Sequence, residues 1–359
     1  MNLEGRLVGL FSFDIGQEIH LEAVRARIAD AATTPLERRR AAPVHLAYAE
    51  PPLRVRLGER AVELLGRPAT AVASAWVHDF GAVTVLLEVP LRCALADLPA
   101  LTASLVGANT LENHARPLLQ ALAADIAPAI ERPGGPGPME DYYVVQVDRL
   151  EPPLAIPDLL AEHGGTIASA LRCEPAPLSA AETVEALRNP LSYYPGDLLL
   201  TEWNVALIVD PDYHDAVAIL EFLNVQLVEL RFYDALLDRR IGALGTLERR
   251  HARRLPLLYR AHHRAIDELA TIRVDMATIF ERIHNALKLG GDVYLAKIYT
   301  MTAQRLGLEA WEGSVARKLE VLQKLYELLV QRAATARAEA LELAIVLLIV
   351  VEILLSLVR

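Results

Sequence analysis

Few residues of this chain have the types and spacing that catalysis needs, and one pair is the best candidate. The segment YRAHHRAID places His263 and Asp267 four residues apart, about one helical turn, where an imidazole and a carboxylate can share a metal ion or exchange a proton. An unrecognised metal-dependent hydrolase is one function that this pair allows. A solvated helix face is the interpretation we favour, because the sequence contains no GxSxG, HExxH, P-loop or paired CxxC motif.

Other motifs that look catalytic lack their required context. The triplet Asp79, Phe80 and Gly81 matches the DFG of protein kinases, but neither a glycine-rich loop nor HRD precedes it, so we predict a hairpin turn. The two cysteines, Cys93 and Cys173, are far apart, which is typical of buried free thiols in a reducing compartment. We therefore predict a protein that is not an enzyme, with no catalytic or metal-ligating residue and no cofactor.

A cluster of arginines stands out because the net charge of the whole chain is −10. Its members are Arg239, Arg240, Arg249, Arg250, Arg253, Arg254, Arg260 and Arg264. The acidic balance argues against a general nucleic-acid binder, whereas this local cluster can contact anionic lipid, ribosomal RNA or acidic residues of the same chain. Nucleic acid is thus a partner that the sequence permits but does not favour.

The C-terminal segment LELAIVLLIVVEILLSLVR is the most apolar part of the chain. We predict a transmembrane anchor formed by Leu343, Ile345, Val346, Leu347, Leu348, Ile349, Val350, Val351, Ile353, Leu354 and Leu355. Glu352 would then reach the far interface or lie between protomers. Because Arg332 and Arg337 precede the segment, we expect a single-pass protein of the inner or cytoplasmic membrane whose N-terminal bulk faces the cytoplasm. The alternative is an oligomerisation helix without a membrane.

The N-terminal part alternates strand-like and helix-like segments, which predicts an α+β region. We place a first α+β subdomain at 1–130, a Pro/Gly linker at 131–141 and a second α+β subdomain at 142–209. The same order of elements recurs on both sides of the linker, so the two subdomains are either related or similar by coincidence. A length of 359 residues agrees with several domains.

From residue 210 onward the apolar spacing becomes that of a coiled coil. Asp234 occupies one inner position of this heptad, where a polar group fixes register or partner choice. The other inner positions are Leu220, Leu223, Leu227, Leu230, Leu237, Ile241 and Leu244. A second heptad begins at Val315. We therefore predict an antiparallel helical coiled-coil stalk at 210–340, followed by the membrane anchor at 341–359, with Asp234 and Glu352 specifying helix pairing.

Three segments together resemble a known family. They are WVHDFGAVTVLLEVPL, TEWNVALIVDPDYHDAVAILEFLNVQLVELRFYDALLD and the terminal LELAIVLLIVVEILLSL, the last being similar to an LEW…IxxLIxxEI pattern. The chain resembles the Required for Meiotic Nuclear Division family, also called the Sad1-interacting factor or RMD1-type family. The resemblance implies a C-terminally anchored membrane protein without known catalysis, whose mitochondrial relatives are similar to organisers of translation at the inner membrane.

These observations lead to one expected function. We expect a non-enzymatic, tail-anchored membrane scaffold or assembly factor that contacts lipid, forms a homo-oligomer through its helical region and recruits an unknown protein partner through its N-terminal domains. A ribosome- or RNA-binding adaptor that uses the arginine cluster is the alternative, beside the hydrolase.

Overall fold

The computed structural model describes residues 1–28, 32–33, 46–47, 51–108, 110–134, 137–251, 288–289 and 293–357. The strands are β1 (Asn2–Asp14), β2 (Glu18–Ile19), β3 (Ala32–Thr33), β4 (Leu46–Ala47), β5 (Leu53–Leu64), β6 (Arg67–Val77), β7 (Ala82–Ala94), β8 (Ile130–Glu131), β9 (Met139–Glu151), β10 (Leu198–Thr201), β11 (Val205–Val209) and β12 (Lys288–Leu289). The helices are α1 (Leu21–Arg27), α2 (Leu98–Ala108), α3 (Glu112–Ile126), α4 (Ile156–Leu171), α5 (Ala180–Ala186), α6 (His214–His251), α7 (Val293–Arg305) and α8 (Leu308–Leu357).

Eight of the described strands form one sheet, in the order β10-β11-β9-β1-β7-β6-β5-β3. The long strand β1 lies in the middle and pairs antiparallel with both β7 and β9, while β11 pairs parallel with β9. The segments predicted as two subdomains, 1–130 and 142–209, therefore contribute strands to the same sheet. The turn predicted at the DFG triplet is confirmed, since β6 and β7 pair antiparallel on either side of it.

One face of this sheet carries the main hydrophobic core. Side chains alternate between the two faces of a strand, and the odd-numbered residues Leu3, Leu7, Phe11 and Phe13 of β1 all belong to the core cluster. Buried residues of α2, α3 and α4 belong to it as well. These helices thus cover that face of the sheet and leave the even-numbered residues of β1 to the opposite face.

The opposite face of the sheet is covered by α6. Asn224 of α6 donates one hydrogen bond to the β1 side chain of Ser12, and Phe232 lies near Gly137 just before β9. Every residue of α6 from 216 to 230 is buried. On its other side α6 is covered in part by α7, because the Tyr299 hydroxyl donates to Gln226 Oε1 at 3.1 Å.

The described residues divide into two compact units. The first comprises 1–232 and 279–311 and contains the sheet; the second comprises 233–278 and 312–359 and consists of the later part of α6 and most of α8 where it is described. Two long helices, α6 and α8, begin in the first unit and end in the second.

The predicted antiparallel arrangement is wrong for α6 and α8. Within the second unit Asp234 accepts a hydrogen bond from Ser314 and pairs with Lys318, and Asp238 also pairs with Lys318. Residue numbers therefore rise together along both helices, which run parallel. A heptad pattern specifies which side of a helix is apolar but not the direction of its partner, so the sequence could not decide this point.

The predicted transmembrane anchor is also wrong. Among the described residues, no helix is long and apolar enough to cross a membrane. The apolar stretch whose side chains are described, 341–356, is shorter than the roughly 20 residues that a span requires, and it contains Glu342 and Glu352. The predictions of a tail anchor and of a single-pass membrane location are therefore wrong as well.

Candidate functional site

A group of buried polar side chains lies between the sheet and α6, and we call it the polar cluster. Its members are Ser12, Asp14, His78, Thr84, Glu140, Glu221, Asn224 and Glu229. They come from β1, the β6–β7 turn, β7, β9 and α6. Buried polar groups are costly unless they are paired, so a concentration of them marks the most unusual chemical environment in the sheet-containing unit.

The local structure explains why these residues meet. Ser12 and Asp14 are even-numbered residues of β1, opposite to the core face, and Ser12 is in register with Thr84 on β7 and Glu140 on β9. On α6, the spacing of Glu221, Asn224 and Glu229 places them within about 140° of each other around the helix, at 100° per residue. One side of α6 therefore presents polar groups to the polar residues of the sheet.

The neutral members of the polar cluster form a continuous hydrogen-bonded group. The Ser12 and Thr84 hydroxyl oxygens lie 2.9 Å apart. The Asn224 side-chain amide donates to Ser12 Oγ at 2.9 Å and to the Glu140 backbone oxygen at 3.0 Å. These bonds link α6 to three neighbouring strands and fix the position of the helix along β1.

Three of the titratable members, His78, Glu221 and Glu140, have partners. His78 Nε2 lies 2.9 Å from Glu221 Oε1, with both side chains buried. The Glu140 carboxylate forms an ion pair with Arg231 of α6. Burial raises the pKa of Glu140, and the nearby Arg231 guanidinium opposes that shift. Both pairs join α6 to the sheet.

The remaining two carboxyl groups, Asp14 and Glu229, differ from the others. Burial raises the pKa of Asp14 to about 7, opposed by the backbone N–H of Gly16, which donates to Asp14 Oδ1 at 3.2 Å. Burial also raises the pKa of Glu229 well above its usual value, and the charge of Asp14 adds to the effect. These are the groups in the polar cluster that are suited to hold a proton near neutral pH.

The polar cluster has the groups for acid–base chemistry but not those of a metal centre. No set of three or more histidine, cysteine, aspartate or glutamate side chains that could hold a metal occurs among the described residues. A cleft of about 620 Å³, lined by residues that include Glu4, Leu64 and Cys93, lies near the opposite end of β1. Eight residues of strand separate Glu4 from Ser12, about 26 Å, so this cleft does not open onto the polar cluster.

The second unit offers a different candidate site, an exposed apolar helix. The later part of α8 carries twelve large apolar side chains that are 43–70% exposed, and we call them the apolar segment: Leu341, Leu343, Ile345, Val346, Leu347, Leu348, Ile349, Val350, Val351, Ile353, Leu354 and Leu355. Because 345–351 are consecutive and cover nearly two turns, apolar groups are exposed on every side of the helix. Glu352 is exposed within this segment.

The earlier part of α8 is different, because its heptad positions are covered. Val315 and Leu322 are buried, and Leu319 and Tyr326 are partly buried. Next to this seam, Asp234 accepts from Ser314 Oγ at 2.9 Å and lies 2.8 Å from Lys318 Nζ. The residue predicted to specify helix pairing is therefore located between two helices of the same chain.

The predicted arginine cluster lies largely beyond the described side chains. Arg239 is exposed on α6, and Arg240 is partly buried. Arg249 and Arg250 belong to the same helix, but their side chains are outside the description. The remaining members and the His263 and Asp267 pair lie outside the described residues. These predictions stay predictions.

Sequence reasoning missed the polar cluster, although a signal was present. The segment AILEFLNVQLVEL, 218–230, contains four polar residues within an apolar helix, and all four are buried. Polar residues in a helix that is otherwise apolar on all sides indicate that the helix is buried and that these residues have hydrogen-bond or ion-pair partners in the fold. The heptad interpretation considered only the apolar positions of this helix and Asp234.

Comparison with known proteins places the chain in a family. The family model described as "Uncharacterized protein MJ0711, N-terminal domain" matches residues 4–216, more than half of the chain, and the match includes the sheet and the first residues of α6. The chain belongs to this family. It is similar to the uncharacterized protein MJ0711 of Methanocaldococcus jannaschii, with 27% identity over 177 residues, which cover 49% of this chain and 53% of that protein. The chain thus spans about half the length of this relative. No solved structure matches.

Proposed function

We propose that this protein is a non-enzymatic assembly scaffold, in which the apolar segment of α8 pairs with a second copy of the chain and the sheet-containing unit recruits a protein partner. The observation that carries the proposal is the exposure of the twelve apolar side chains of that segment. Monomeric proteins rarely expose contiguous apolar patches of more than a few hundred Å². Something must therefore cover this surface.

The size of the surface supports a second copy as the occupant. Twelve large aliphatic side chains exposed by about half present roughly 1,000 Å² of apolar area around the helix, which is of the same order as the ~800 Å² that each partner buries in a standard interface. Association of identical helices requires no other kind of molecule, and it covers the apolar segment of both copies. Glu352, the one carboxylate inside the segment, then limits the arrangements in which two helices can pack, since like charges in contact repel.

The likeness to the Required for Meiotic Nuclear Division family stays a prediction, and it implies a protein without known catalysis.

The test is the mass of the full chain in solution, measured by sedimentation velocity over a hundredfold range of concentration. The wild-type chain is expected to be a dimer or larger, and the double variant Leu347→Glu with Val351→Glu is expected to be a monomer. Val321→Glu changes an exposed residue of the same helix outside the apolar segment and should leave the mass unchanged.

Two outcomes would contradict the proposal. A wild-type chain that stays monomeric, or a double variant that associates as strongly as the wild type, excludes pairing through this segment. Flotation of both chains with vesicles of neutral phospholipid distinguishes a lipid occupant, because a monomer that floats only when the apolar segment is intact would assign the surface to lipid instead of to a second copy.

An RNA-binding adaptor remains the alternative, and the exposed Arg239 is the described residue of the arginine cluster that favours it. It predicts binding of a single-stranded RNA that weakens steeply as salt is raised from 50 to 200 mM. Charge reversal at Arg249, Arg250, Arg253 and Arg254 should then abolish the binding and leave sedimentation unchanged.

A further inference from the structure

Two buried carboxyl groups of the polar cluster lie close enough to interact electrostatically. Asp14 ends β1 and is 7% exposed, while Glu229 of α6 is 2% exposed. The charge of Asp14 acts on Glu229 directly. Asp14 and Phe232 of α6 both lie near Gly137, which places this end of β1 next to the C-terminal part of the buried stretch of α6.

The other titratable and charged groups of the polar cluster have partners. His78 from the β6–β7 turn pairs with Glu221, and Arg231 pairs with Glu140 of β9. Neither pairing leaves a cation for Asp14 or Glu229, and in the described part of the chain neither carboxyl group has an ion pair. Glu229 Oε1 is buried and has no hydrogen-bond partner among those residues.

Elementary electrostatics then decides the charge of the two groups. Burial strongly disfavours a carboxylate that has no cation and few donors beside it, and two carboxylates that share a site do not both ionise readily. We propose that Asp14 and Glu229 together hold a proton near neutral pH, and that this proton stabilises the packing of α6 on the sheet. The contact between β1 and α6 would thus be sensitive to pH.

The direction of the effect follows from the two protonation states. In the unfolded chain both groups titrate near pH 4, whereas in the folded chain burial raises both pKa values, that of Asp14 to about 7. Between these values the folded chain binds more protons than the unfolded chain, so stability is full below about pH 4 and falls as pH rises through the folded pKa. Alkaline conditions should therefore loosen α6.

The experiment compares the full-length chain with Asp14→Asn and Glu229→Gln, each of which supplies a neutral side chain of nearly the same shape. Unfolding by urea is followed from pH 5 to pH 8.5, and hydrogen exchange reports on the amides of 216–230. The ratio of the wild-type to the variant unfolding constant should rise by up to about tenfold per pH unit, because one bound proton is lost. The exposed Glu63→Gln is the control and should give a ratio that does not change with pH.

A second measurement keeps the proposal testable if a variant folds poorly. Infrared spectroscopy of the wild-type chain at pH 6 should show the carbonyl band of a protonated carboxyl group, and that band should disappear as pH is raised toward 9 while α6 amides begin to exchange faster. Absence of the band at pH 6, or pH slopes that are parallel for wild type and both variants, would show that the pair holds no proton.

Discussion

The buried carboxylate of Glu202 is expected to contribute strongly to stability because it lies between two arginines. Glu202 follows β10, and its side chain is 4% exposed. Glu202 Oε2 lies 3.2 Å from Arg172 of the loop after α4, and Oε1 lies 3.3 Å from Arg305 at the end of α7. One carboxylate therefore connects α7 and the end of α4 to the β10–β11 hairpin.

The isosteric change Glu202→Gln removes the charge but keeps the volume. Removal of one partner from a buried ion pair costs about 3–5 kcal/mol, because the other charge stays buried without compensation. The guanidinium groups here keep other partners: Arg172 pairs with Glu182, and Arg305 pairs with Glu185. We therefore expect the lower part of that range, about 3 kcal/mol of lost unfolding free energy.

Urea unfolding at pH 7, followed by circular dichroism, measures this loss. Glu185→Gln is the matched control, since it removes a carboxylate that pairs with the same Arg305 but is 42% exposed, and it should cost less than about 1 kcal/mol. In the double variant Glu202→Gln with Arg305→Met the two losses should not add, because each change removes the same interaction. A loss at Glu202 no larger than the loss at Glu185 would refute the reasoning.

Three further predictions concern separate parts of the molecule. Asp234→Asn should lower the unfolding free energy by about 1–2 kcal/mol, because its ion pair with Lys318 is lost. Lys318→Met should lower it by a similar amount, and the two losses should not add in the double variant, which thermal unfolding checks. Gly81→Ala should lower the unfolding free energy by at least about 3 kcal/mol, because the φ of Gly81 is +98° and a Cβ there would lie 1.8 Å from a backbone oxygen of the neighbouring loop. Soluble expression and a melting temperature near that of the wild type would contradict this expectation. Burial raises the pKa of the Cys93 and Cys173 thiols to about 11, so their alkylation at pH 7.5 should be about a hundredfold slower in the native chain than in urea, and equal rates would refute their burial.

Much of the local structure of the sheet-containing unit was predictable from the sequence. The apolar runs on either side of His78 to Gly81 predicted two strands and a turn, and β6 and β7 are paired there. The switch from β-like to helix-like spacing near residue 210 predicted a long helix, which begins at His214. These signals are local, because turn chemistry and apolar periodicity act within a few residues.

The candidate sites were harder to predict, and each for its own reason. The exposed apolar segment was conspicuous as sequence, yet its apolar composition predicted a transmembrane anchor that the described helices do not provide. The polar cluster was missed, since nothing near Glu229 in the sequence indicates that Asp14 lies beside it. Their separation along the chain exceeds 200 residues, and only the packing of α6 on β1 brings them together.

The sequence by itself thus determined which segments are strands and helices, where the β6–β7 turn falls and that the helical part carries apolar seams. The tertiary structure decided that 1–130 and 142–209 share one sheet, because β1 can hydrogen-bond on both of its edges. It also decided that α6 and α8 run parallel and that buried acids meet between β1 and α6. Apolar periodicity indicates which side of a helix or strand is buried. The relative direction of helices, the order of strands and the partners of buried charges depend on groups that are distant in the chain, so they are determined only when these groups pack together.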